Sequence, residues 1–117
     1  LTVCDGNTAK TMGSGSLEVL ATPAMVALME QAAAQSVSLC LDEGQTTVGT
    51  AMQIQHLSAT PIGMHVTAES ELLQIDGRKL LFSVSAFDEK GLIGQGTHER
   101  FVVDAARFMA KAASKRS

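Results

Sequence analysis

From residue 19 to residue 41 the chain runs for 23 residues with one charge, Glu30. A stretch that apolar has to be kept from water, and where it is hidden decides the architecture. Its length would permit a membrane span. Thr22, Pro23, Gln31, Gln35, Ser36 and Ser38 interrupt it, however, and alternating apolar and polar segments follow. The run therefore reads as a soluble helix covered by its own sheet, with no membrane partner. Thr22-Pro23 looks like its start, because Thr can cap free amides and Pro at the first helical position lacks the hydrogen that would go unpaired. Asp42-Glu43-Gly44 ends it near Leu41, glycine supplying the left-handed residue.

After Gly44 the hydrophobic pattern has period two, the mark of strands. In residues 46–60, Val48, Met52 and Ile54 face one way, and Gln53 and Gln55 the other. Thr60-Pro61-Ile62-Gly63 is a turn. In residues 64–75, Val66, Ala68 and Leu72 alternate with Thr67, Glu69 and Glu71, giving one dry and one wet face. Asp76-Gly77 is a hairpin turn, and Leu80, Phe82, Val84 and Ala86 form the dry face of the next strand. Glu89-Lys90-Gly91 turns the chain into a last strand over residues 92–103. Residues 1–18 carry three glycines and are expected to give a short first strand and a mobile loop; the tail from Ala105 reads as a short helix or a fraying end. Strand, long helix, four strands is an α+β arrangement: a five-stranded antiparallel sheet wrapped round one long central helix, the hot-dog fold. The edges of such a sheet call for a second copy, so a homodimer is expected, with a higher oligomer open.

The chain's 117 residues suit one domain over residues 1–117, and 45% hydrophobic against 18% charged residues suits a globular protein. A net charge of −3 with scattered basic residues argues against nucleic acid. The cluster Lys111, Lys115 and Arg116 is assigned no role. Cys4 and Cys40 are too few for a disulfide framework and lack metal-ligand spacing; Cys40, closing the apolar run, is expected to be a small buried thiol. No signal peptide is visible, and a reducing, cytoplasmic location is expected.

Three residues draw attention chemically. Glu30 has Val26, Ala33 and Val37 as helical neighbours, an apolar stripe on which a carboxylate acquires a partner, a raised pKa or both; a bond to a backbone amide at a dimer seam is the plainer alternative. His56 shares parity with Val48, Met52 and Ile54, so it turns toward the helix, where it is either a satisfied core residue or half of an acid–base pair with Glu30. Thr22 is eight residues before Glu30 and emerges near the same side, at the positively polarised helix end; helix capping and contact with a carbonyl or a water are compatible roles. His65 falls on a polar face, and packing or charge pairing accounts for His98. No metal site is expected.

The residues also resemble the fluoroacetyl-CoA-type thioesterases. The likeness covers about residues 20–108 and is carried by Ala21-Thr22-Pro23-Ala24-Met25-Val26-Ala27-Leu28-Met29-Glu30, by Val48-Gly49-Thr50-Ala51, by His56-Leu57-Ser58-Ala59-Thr60-Pro61-Ile62-Gly63, and by Gly94-Gln95-Gly96-Thr97-His98-Glu99-Arg100. The resemblance implies a catalytic Thr22, Glu30 and His56, with Gly49 beside the substrate, where a missing side chain lets a thioester approach, and Arg100 near the coenzyme part of the cleft, a surface ion pair being the alternative. It implies hydrolysis of a short acyl-CoA, with coenzyme A present only as part of the substrate and no other cofactor. Fluoroacetyl-specific members carry two lid phenylalanines where this sequence has Gly13 and Ser16, so a different, small acyl group and broader tolerance are expected. Two rival readings share the fold: a hydratase or dehydratase acting on an acyl thioester, and a non-catalytic acyl-CoA binder.

Overall fold

The computed structural model describes residues 1–116. A 3-10 turn (Asp5–Asn7) and a one-turn helix α1 (Ala9–Met12) precede helix α2 (Thr22–Val37). Four strands follow, β1 (Gln45–His56), β2 (Thr67–Asp76), β3 (Lys79–Asp88) and β4 (Gly91–Asp104), and then helix α3 (Ala105–Ala113). The strands form one antiparallel sheet in the order β1-β4-β3-β2. Residues 57–66 carry the chain from one edge of the sheet to the other, while two tight turns make β2, β3 and β4 a meander. Gly77, at φ 61°, supplies the left-handed residue in the first of these turns.

Helix α2 lies across one face of the sheet. Met25, Met29, Ala33 and Val37, four residues apart, are its buried stripe, and they share a core with Leu80, Phe82, Val84 and Ala86 of β3 and Ile93 of β4. Each large apolar side chain hidden there contributes about 1.5–3 kcal/mol. The helix approaches so closely because β4 has no side chain at Gly94, where an added Cβ would stand 2.6 Å from Met25 Sδ. At Gly96 an added Cβ would overlap the Gln53 carbonyl oxygen of β1.

The structure corrects four expectations. The sheet has four strands and not five, because residues 1–18 bond locally: Asn7 Oδ1 accepts from the Cys4 amide at 2.9 Å and the Thr8 hydroxyl caps α1. Side-chain bonds of this kind compete with a strand ladder; residues 1–3 do pair with residues 63–66, Val3 N–H donating to the Met64 carbonyl and Val66 N–H to the Leu1 carbonyl, but the pairing is too short to add a strand to the sheet. The central helix is shorter than expected, 16 residues, with a 3-10 turn over Ser38–Cys40. There Ser36 and Ser38 donate to the Ala33 and Gln35 carbonyls, and Cys40, expected to be buried, is like Cys4 an exposed free thiol.

The fourth correction concerns parity. A bulge in β1 between Gly49 and Ala51 inserts one residue and exchanges the faces. Val48 therefore stands opposite to Met52 and Ile54, while Thr47 and Gly49 join their face. Leu72 keeps the face expected of it, opposite Phe82, and a second bulge follows it, between Leu72 and Gln74; near this end of β2 its side chain is 38% exposed. Among the described residues no helix is long and apolar enough to cross a membrane.

Candidate active site

Thr22 is the first residue of α2, and the capping position belongs to Ala21, whose side chain cannot cap. The expectation that Thr22 caps the helix is thus not met, and its hydroxyl is free for other work. That hydroxyl lies 2.8 Å from Nδ1 of His56, the last residue of β1. Parity after the bulge turns His56 inward, as expected. Its Nε2 is buried without a hydrogen-bond partner among the described residues. Burial lowers the imidazole pKa from 6.5, the Ser58 backbone opposing in part, so the ring is neutral and basic near pH 7. The pair opens on a cavity of about 290 Å³ whose wall includes Ala9 and Ser14 before the helix and Leu57 and Ser58 after the strand. A larger groove of about 760 Å³ runs over the other face of the sheet, lined by Gln53, Gln55, Ser83, Ser85, Gln95 and Thr97, and offers no group that titrates near neutrality.

Glu30 stands elsewhere. Its Oε2 accepts from Arg100 Nη1 at 3.4 Å and is 4.0 Å from His98 Nε2. It rests on the backbone of Gly49, where an added Cβ would come within 2.6 Å of that oxygen. Gly49, Glu30 and Arg100 are therefore one constellation, and Thr22 with His56 another. Eight residues of α2 separate the two, a rise of about 12 Å, so the expected meeting of Glu30 with His56 does not occur within one chain. Arg100 is buried, not a surface ion pair: Nε donates to Thr47 Oγ1 at 2.9 Å and Nη2 to the Thr47 carbonyl at 3.0 Å. His98, read from sequence as incidental, is fully buried against Arg100. Its spacing of two from Arg100 on one strand was the signal that could have found it.

His65 is exposed and pairs with Glu89 at 3.3 Å. Among the described residues no group of three or more His, Cys, Asp or Glu side chains is arranged to hold a metal ion.

Residues 3–106 match the family model of the fluoroacetyl-CoA-specific thioesterases. This chain belongs to that family. It is 44% identical over 98 residues to the fluoroacetyl-CoA thioesterase of Streptantibioticus cattleyicolor, covering 84% of this chain and 70% of that protein. A crystal structure of a variant fluoroacetyl-CoA-specific thioesterase in complex with fluoroacetate and CoA superposes with a TM-score of 0.93 at 36% identity, over 100% of this chain and 96% of that one. A Thermus thermophilus hypothetical protein, a thioesterase superfamily member, superposes with a TM-score of 0.91 at 27% identity, over 99% and 86% of the two chains. The architecture is accordingly the α+β hot-dog fold of the thioesterase superfamily, here with four strands.

Proposed function

We propose that the protein hydrolyses short acyl-CoA thioesters to the free acid and CoA, with Thr22, His56 and Glu30 as its catalytic groups. The observation that carries this reading is the 2.8 Å contact between the Thr22 hydroxyl and a neutral His56 at the mouth of a cavity. With Thr22 O–H donating to Nδ1, the ring takes the hydroxyl proton as Oγ1, or a water held by it, attacks the thioester carbonyl. The same proton then passes to the departing CoA sulfur. In the Thr22 route a water completes the cycle by cleaving the acyl ester. Backbone amides at the first turn of α2 lie beside the developing oxyanion. The reaction draws on no cofactor beyond the CoA that the substrate carries, and a cytoplasmic location suits that substrate.

Glu30 enters this scheme from a second copy. Strand β1 is a sheet edge of 12 residues without a charged or proline residue, the kind of edge that proteins cover. Antiparallel pairing of two such strands about a point between Met52 and Gln53 sets His56 of one opposite Gly49 of the other. The partner's Glu30 then faces the buried Nε2 of His56, supplying the acceptor that this atom lacks. Arg100 faces the same seam and is placed near the thioester. Gly13, at φ 76°, and Ser16 leave the segment before α2 without aromatic side chains, which favours a small acyl group without selectivity for fluorine.

The test is release of CoA from a panel of short acyl-CoA esters. His56→Ala lowers kcat/KM by about 10²- to 10⁴-fold, and cleavage of every ester at the rate of that variant would refute the enzyme reading. Rapid-quench mass spectrometry separates the two routes, since an acylated Thr22 appears only if its hydroxyl is the nucleophile.

A further inference from the structure

We propose that His98 is a positioning residue: through Arg100 it fixes the carboxylate of Glu30, and the backbone bulge of β1 sets its tautomer. The inference rests on the reading that Glu30 takes part in the reaction.

The bulge in β1 sets the first contact. Residue Ala51, just past it, turns its carbonyl to His98 Nδ1 at 2.8 Å. A carbonyl only accepts, so Nδ1 carries the proton. In the neutral ring Nε2 is then a bare acceptor, and Arg100 Nη1 lies 3.1 Å from it. One hydrogen of Nη1 goes to that nitrogen and leaves the other for Glu30 Oε2 at 3.4 Å. The rest of the guanidinium is pinned on Thr47 by Nε and Nη2. Three anchors therefore fix the plane of the arginine, and the fourth contact is the carboxylate.

Glu30 needs such a fixture. Its side chain is 43% exposed, and Arg100 is its sole hydrogen-bond donor among the described residues. Below it Gly49 has no side chain to hold it. His98 itself is 2% exposed and cannot touch a substrate, so whatever it does is done through Arg100. With Nε2 removed, Nη1 loses an acceptor, and its remaining hydrogen is no longer committed to the carboxylate.

The first experiment uses the wild-type protein: 15N NMR of the His98 ring is expected to show a protonated Nδ1 and an unprotonated Nε2. The reverse tautomer, or a doubly protonated ring at neutral pH, overturns the proposal. The second is a double-mutant cycle on acyl-CoA hydrolysis, using His98→Leu and Glu30→Gln. Alone, His98→Leu is expected to lower kcat by roughly 10- to 100-fold, as lost supporting contacts do elsewhere, with KM little changed. In the Glu30→Gln background the same substitution costs less than about twofold, since it acts through a carboxylate no longer there. His98→Gln, whose amide oxygen reaches toward Arg100, recovers part of the loss. Equal losses in both backgrounds overturn the positioning role while leaving Glu30 as a catalyst. A Glu30→Gln protein with wild-type turnover overturns the catalytic reading itself, and this proposal with it.

Discussion

Gly49→Ala gives the sharpest separation between stability and activity in this molecule. The residue is not in the left-handed region, so a methyl group costs nothing in the backbone; the cost comes from three atoms above it. The new Cβ would stand 2.6 Å from Glu30 Oε2, 3.2 Å from His98 Cε1 and 3.3 Å from Arg100 Nη1. The first contact must open by about 1 Å to reach ordinary van der Waals separation. Glu30 is the end of a flexible, partly exposed side chain, so that movement is cheap. The two buried neighbours yield by a few tenths of an ångström, which places the destabilisation at the low end of overpacking, about 1 kcal/mol. For a domain of this size that corresponds to a fall in Tm of about 4 °C. The carboxylate, by contrast, has been driven off its position by about the distance that costs on the order of 100-fold in rate. Thermal denaturation and steady-state CoA release on the same preparation check both numbers. Wild-type kcat in a normally folded Gly49→Ala protein would refute the claim that Glu30 works from its seat on Gly49. A collapse in Tm with proportionate loss of activity would show that the glycine serves packing alone.

Because burial lowers the pKa of His56, the acid limb of kcat/KM is expected to have its midpoint below 6.5; a midpoint at or above that value would contradict the burial argument. The same shift has a sign for stability: the unfolded chain binds this proton more readily, so the contribution is present above the unfolded pKa of 6.5 and falls away as pH drops through the folded value. Chemical denaturation from pH 7 to pH 5, compared with His56→Gln, measures it. Gly96→Ala has no such outlet, since its Cβ would overlap the Gln53 backbone, and is expected to cost about 3 kcal/mol or more, seen as loss of soluble protein or a large fall in Tm. Finally, mixing inactive Glu30→Gln and His56→Ala proteins under subunit exchange should restore roughly a quarter of wild-type activity, because the hybrid dimer rebuilds one complete site. No recovery, with exchange verified by native mass spectrometry, would place the whole site within one chain.

Much of this was legible in the order of the residues. The buried face of β3, Leu80, Phe82, Val84 and Ala86, follows from period two alone, and the turn at Gly77 follows from local steric freedom. Both depend on neighbours a few positions away, and a linear sequence contains those neighbours. The inward direction of His56 and the position of Thr22 at the start of α2 belong to the same class. Which groups meet does not. One inserted residue at the Gly49 bulge reverses the facing of β1, and no pattern of hydrophobicity announces it, because Thr47, Gly49 and Thr50 are neither apolar nor charged. That reversal turns Gly49 and Thr47 toward Glu30 and Arg100, while the rise along α2 holds the carboxylate away from the histidine expected to meet it. The expected first strand failed for a related reason: Asn7 and Thr8 found local partners that a period-two reading does not weigh. Sequence fixes what each segment is, through propensity and periodicity. Contacts between segments depend on register and on close approach, and only the tertiary structure decided those.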